Sequence, residues 1–294
     1  MSSMTKVFKS LNGVKRTFSI ASHRLRSANK RTYEEAIIAL NSLQPNAAEV
    51  NKSIQKRQQQ RHDEANCNLT DTEKFLERID GFTSLDNLSV IHVAGSKGKG
   101  TVCTLTDAIL RQHNVKTGLF TSPHLTSVTE RIKLRGNAIS KQVFTDYFWE
   151  VFDALQVKKD NEFDLPSYFK FLQIMAFYIF VREKVDVAII EVGIGGEYDS
   201  TNIVKNTEIV GITSLQLEHT QLLGETLGEI AWQKAGIIKE NSHVYTMPQH
   251  QDCMEVINER FLEKKAKSLS VTPEFGEYEW MKSAPDFKRT SEVN

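Results

Sequence analysis

The sequence predicts an α/β fold in which a mostly parallel sheet is flanked by helices. Three observations carry that expectation. Short β-branched runs alternate with stretches of helical periodicity between residues 70 and 267. One apolar run passes through a glycine-rich turn straight into a helix. A third run, Val185 to Glu191, is bounded by Gly193, Gly195 and Gly196, as suits a strand covered on both faces.

Taken in order, Tyr33 to Leu43 has helical periodicity, while Asn51 to Glu64 is polar and reads as an exposed helix or a loop. A capped helix is expected near Thr72 to Ile79. The run Leu88 to Val93 then reads as a strand, and Thr101 to His113 as the helix after the glycine-rich turn. A short strand at Thr117 to Thr121 precedes helices at Lys141 to Gln156 and from Pro166 to Arg182. Strands at Val185 to Glu191 and Glu208 to Thr213 follow. A helix near Thr226 to Ile238, a strand at His243 to Met247 and a helix near Gln251 to Lys267 complete the pattern. No internal repeat is visible. Beyond Val271 the chain is polar with single aromatics.

The 294 residues allow one large or two small domains, enough to bury a sizeable core. The longest apolar run, Phe171 to Val181, is broken by Gln173 and is too short to span a membrane, so no transmembrane segment is expected. Cys67, Cys103 and Cys253 are odd in number and far apart, which argues against a disulfide framework or a metal knuckle and for a reducing compartment. Lys and Arg balance Asp and Glu at 37 each, but residues 1 to 33 hold eight basic side chains and no acidic ones. Val7, Phe8, Leu11, Val14 and Phe18 recur there at helical spacing. Residues 1–32 therefore read as a mitochondrial transit peptide, the alternative being a basic tail for acidic surfaces. The remainder is mildly acidic and invites no nucleic-acid partner.

The chemistry-bearing turn is Gly95-Ser96-Lys97-Gly98-Lys99-Gly100-Thr101. Its glycines let backbone amides and a helix N-terminus approach a phosphate. Lys99 would reach the terminal phosphates and Thr101 a magnesium ion. The spacing is not that of the ordinary P-loop, since Val93 stands five residues before Gly98. A flexible basic surface turn is the competing reading. Glu191, at the carboxyl end of its strand, is placed to hold a metal or to act as a solvated cap. His219, alone, reads as a surface or core histidine. The aromatics from Tyr168 to Phe180 read mostly as core.

Six motifs in order resemble the folylpolyglutamate synthases of the Mur ligase superfamily, the eukaryotic type in particular. They are Ile91 to Thr101, Thr121 to Leu125, Glu130 to Ile132, Glu191 to Gly196, Asp199 to Asn202 and Ala231 to Ile237. The resemblance runs from Tyr33 to about Lys267. It implies a P-loop-type ATPase domain over residues 33–270, followed by a poorly structured tail at 271–294. It also implies an ATP- and magnesium-dependent ligase that joins L-glutamate to the γ-carboxylate of a folate such as tetrahydrofolate through an acyl phosphate. Gly98, Lys99, Gly100 and Thr101 match the family's ATP-phosphate ligands, and Ser122, Glu191 and His219 its magnesium positions. Lys234 matches a lysine that carries a carbamate, a role its sequence alone would not suggest over that of a helix-surface lysine. Lys99, Lys234 and His219 are thus the expected catalytic residues. The same resemblance admits dihydrofolate synthase, or a catalytically inactive chain that binds nucleotide or folate. A monomer is expected, in the mitochondrial matrix or at the inner membrane, with a cytoplasmic form from another start.

Two departures stand out. Glu218 occupies a position usually held by Asp, and Gln216 one usually held by Gly. The family also continues past residue 294 into a C-terminal glutamate-binding domain, which this chain is expected to lack, together with the closure that shields an acyl phosphate from water.

Overall fold

The computed structural model describes residues 31–44, 63–79, 85–161 and 164–273, with backbone only for 63–67. Residues 1–30 of the transit-peptide reading and residues 274–294 of the tail read at 271–294 fall outside them, as does most of the polar stretch from Asn51 to Glu64, while Val271 closes a strand.

The first described helix, α1 (Tyr33–Asn41), opens on a capping box: Thr32 and Glu35 each accept from the other's backbone amide. Helix α2 (Asp63–Arg78) starts well before the expected cap at Thr72. The Thr72 hydroxyl instead bonds back to the Asn68 carbonyl within the helix at 2.7 Å. The early turns carry no apolar periodicity to read, and core contacts begin only at Phe75 and Leu76.

The sheet is assembled from β1 (Val90–Ala94), β2 (Thr117–Phe120), β3 (Ile132–Leu134), β4 (Asn137–Ala138), β5 (Val187–Glu191), β6 (Thr207–Ile212), β7 (His243–Thr246) and β8 (Ser268–Val271). Their order is β4-β3-β2-β5-β1-β6-β7-β8, parallel throughout except for the β2-β3-β4 edge. The predicted mostly parallel α/β architecture is thus what forms. Strands β3, β4 and β8 lie outside the predicted set; β3 and β4, at three and two residues, are too short to show a period.

Helix α3 (Lys99–Gln112) connects β1 to β2. Helices α4 (Lys141–Val157) and α5 (Tyr168–Arg182) precede β5, while α6 (Thr220–Leu223) and α7 (Leu227–Ala235) precede β7, and α8 (Gln251–Glu263) precedes β8. Helix α7 ends at Ala235, capped by Gly236, short of the expected Ile238.

Side-chain alternation along β1 divides the core. Ile91 and Val93 pack with Cys103 of α3 and with Leu119 and Ile189. Val90 belongs to the large opposite cluster built by α1, α2, α4 and α5, and Ala94 to the cluster under α7 and α8. Most of the aromatic run on α5 is core, as expected: Phe171, Phe177 and Phe180 are fully buried. A Cβ on Gly118 of β2 would lie 2.5 Å from the Phe180 ring. Gly118→Ala is therefore expected to destabilise the fold by about 1–3 kcal/mol through overpacking. An unchanged thermal midpoint would refute this.

The arrangement positions a site because β1 is flanked by β5 on one side and β6 on the other, and strand order reverses there. Loops leaving the carboxyl ends of β1, β5 and β6 therefore meet in one crevice.

Candidate functional site

The turn between β1 and α3 occupies that crevice. Gly95 has φ +147°, and a Cβ there would overlap the Thr213 hydroxyl, so only glycine fits. Gly98 caps α3 in the left-handed region at φ 87°. The turn is stitched to the loop after β6: Ser96 N donates to Ser214 O at 2.8 Å, and the Ser96 hydroxyl pairs with the backbone of Gln216. Gln216 thus contributes through its backbone, which explains why a side chain is tolerated there.

Two ammonium groups converge on one carbonyl. Lys99 Nζ donates to Gly95 O at 2.8 Å and approaches Ser96 O at 3.5 Å. Lys234 Nζ, from α7, donates to the same Gly95 oxygen at 2.9 Å and to Glu218 Oε1 at 2.7 Å. Lys234 is 2% exposed, so it is no surface lysine. Burial lowers its pKa against the opposing pull of Glu218, and nearby Lys99 lowers it further. Glu218, marked in the sequence only as a departure, supplies the carboxylate facing this buried amine.

Glu191 ends β5 almost completely buried, which excludes the solvated-cap reading. Its Oε2 accepts from Ser122 N at 2.8 Å, and its carboxylate also accepts from Gly100 N. Burial raises its pKa, while the Ser122 amide, Lys99, the Gly100 amide and Arg131 act in the other direction. Gly100, Ser122 and Glu191 are therefore brought together, with Lys99 alongside. Thr101 lies exposed in the first turn of α3. His219 caps the short helix α6 at φ 46°, and among the described residues its ring makes no hydrogen bond or ion pair.

The donor chemistry fits a magnesium ion at Glu191. A desolvated carboxylate carrying an unfavourable charge gains most from a hard cation, and the Ser122 and Thr101 hydroxyls are oxygen donors of the preferred kind. Among the described residues no three His, Cys, Asp or Glu side chains gather into a metal cluster. The predicted set contains only two such side chains, Glu191 and His219.

Below the crevice runs a buried polar relay. His92 Nε2 pairs with the Thr201 hydroxyl at 2.9 Å, and that hydroxyl donates to Asp199. Asp199 accepts from Ile194 N at 3.0 Å and Thr201 N at 2.9 Å, pinning the Gly193–Gly196 turn that follows Glu191. The sequence shows Asp199 and Thr201 in a motif but gives them no role, since their partners are remote in the chain.

No family model matches the chain. It is similar to "Probable folylpolyglutamate synthase" of Schizosaccharomyces pombe, at 43% identity over 88% of this chain and 53% of that protein. It is also similar to "Folylpolyglutamate synthase, mitochondrial" of Homo sapiens, at 44% identity over 78% of this chain and 38% of that protein. Among solved structures, an FPGS-AMPPCP-folate complex superposes with a TM-score of 0.69 at 27% identity, covering 81% of this chain and 54% of that one. The chain spans about half the length, or less, of the curated relatives it matches.

Proposed function

From a chain that is a relative of the folylpolyglutamate synthases over most of its length, we propose an ATP-dependent ligase acting on folates. It would add glutamate to the γ-carboxylate of a folate such as tetrahydrofolate. The observation that carries this reading is the convergence of Gly100, Ser122 and Glu191 beside two lysines that share the Gly95 carbonyl. The solved relative bound to AMPPCP and folate supports the two ligand classes.

In this reading the folate carboxylate attacks the γ-phosphorus of ATP, releasing ADP and forming an acyl phosphate. The glutamate amine then attacks the acyl carbon, loses a proton and expels phosphate. This chain's part is positioning and charge neutralisation. The amides of the turn and the Lys99 ammonium receive the phosphates. Glu191, Ser122, Thr101 and His219 would hold magnesium, which when bound supplies neutralisation of phosphate charge. Burial lowers the proton affinity of Lys234 and so favours the neutral amine that carbamate formation with carbon dioxide requires.

A mitochondrial location is part of the proposal, supported by the basic leader and by the human relative's name. The chain is read as a monomer.

The test is to incubate the 294-residue chain with Mg-ATP, tetrahydrofolate and glutamate, following ADP release and folate mass. A folate heavier by one glutamyl unit is expected. Pteroate accepted in place of folate would move the assignment to dihydrofolate synthase. Absence of any glutamylated product would overturn the ligase reading.

A further inference from the structure

We infer that Arg131 is the anchor for the reacting carboxylate of the acceptor substrate, an inference that rests on the ligase reading above. Arg131 closes the short helical turn Val128–Arg131 that leads into β3. Its carbonyl accepts from Thr121 N at 3.0 Å, which ties it to the residue before Ser122. Glu191 lies close enough for each group to perturb the other.

The partners of the guanidinium are unusual for an arginine removed from water. Nε donates to His124 Nδ1 at 2.9 Å, and the group lies 5.6 Å from the centre of the Tyr168 ring. His124 Nδ1 is the acceptor of that bond, so the imidazole nitrogen facing the guanidinium carries no proton. Among the described residues Arg131 has no ion pair, and its two terminal nitrogens have no hydrogen bond. The buried or partly buried Arg78, Arg111 and Arg260, by contrast, each pair with a carboxylate: Asp164, Asp107 and Glu197. A half-buried guanidinium whose one hydrogen bond goes to an imidazole, with the Glu191 charge nearby but not ion-paired to it, leaves its planar fork free for a bidentate anion.

The seat is built in advance. Glu130 accepts from the Leu125, Thr126 and Ser127 amides and from the Thr126 hydroxyl, which fixes the loop bearing His124. The site also separates two anions. Gly100 and Lys99 approach Glu191 from the phosphate turn, whereas Ser122 and Arg131 approach from the β2–β3 connection. A carboxylate on Arg131 and a phosphate on Lys99 would thus flank Glu191 from different loops.

The test measures binding to the 294-residue chain of tetrahydrofolate monoglutamate and of its γ-carboxamide, with Mg-ATP binding measured in parallel. Wild type is expected to prefer the acid at least about tenfold, the scale of a charge-assisted hydrogen-bonded pair. Arg131→Met should lose that preference while keeping its affinity for the carboxamide and for Mg-ATP. Arg131→Lys, which keeps the charge but not the fork, should retain part of it and serves as the readout if the methionine variant does not fold. Equal discrimination by wild type and variants overturns the inference, as does a wild type indifferent to the acid. A wild type that binds Mg-ATP but neither pteridine overturns the folate reading, and the inference falls with it.

Discussion

Lys99→Ala is expected to weaken Mg-ATP binding by roughly tenfold to a hundredfold, the loss of one or more hydrogen bonds from a charged donor. The ammonium is bonded to Gly95 O and Ser96 O, which holds it at the turn whose amides would receive the phosphates. Removing it also takes away a cation that helps keep the buried Glu191 ionised, which compounds the loss where magnesium is required. Titration calorimetry at fixed magnesium would measure the change, and a thermal melt would establish that the fold survives. An unchanged dissociation constant would show that the turn does not bind phosphate through Lys99.

The second large effect concerns stability in acid. His92 is completely buried on β1, and burial, reinforced by the Lys239 charge, lowers its pKa to about 3. The sign follows from the two end states. Above pH 6.5 the imidazole is neutral in both folded and unfolded chains and contributes nothing. Below 6.5 the unfolded chain takes up a proton that the folded chain refuses until about pH 3, so stability falls across that window. At about 1.4 kcal/mol per pH unit, the limb is several kcal/mol deep. Asp199 and Glu191 act in the opposite direction, because burial raises their pKa values and their protonation favours the folded state as pH falls. The effect of His92 is therefore isolated by difference. Urea unfolding of wild type and His92→Gln between pH 7 and 4 should give a shallower acid limb for the variant. Parallel limbs would refute the assignment.

Much of the chemistry is written locally. The glycine-rich turn, Glu191 and the alternation of strands with helices are legible because each depends on neighbours within a few residues: glycines that permit unusual φ, a β-branched run, a helix start. The short strands β3, β4 and β8 are not legible, since each is held by pairing with a neighbouring strand of the sheet rather than by any period of its own. Lys234 is an instructive case. Its local sequence is that of an ordinary helix, and only the packing of α7 beneath Gly95 makes it a buried amine with one carboxylate partner.

The residues around the site divide in the same way. Arg131 lies within a motif visible in the sequence, but its unpaired fork becomes apparent only when Tyr168 and His124 are seen to be its neighbours. The relay from His92 through Thr201 to Asp199 joins β1 to the loop after β5 across 109 residues of sequence, a link no local pattern reports. Sequence alone thus determined the fold class, the glycine-rich turn and the carboxylate at the strand end, because backbone conformation and strand burial are set by short-range residue type. The tertiary structure alone decided which charges meet, which are desolvated and which lack a direct ion-pair partner, because those properties depend on distances between segments that only the folded sheet brings together.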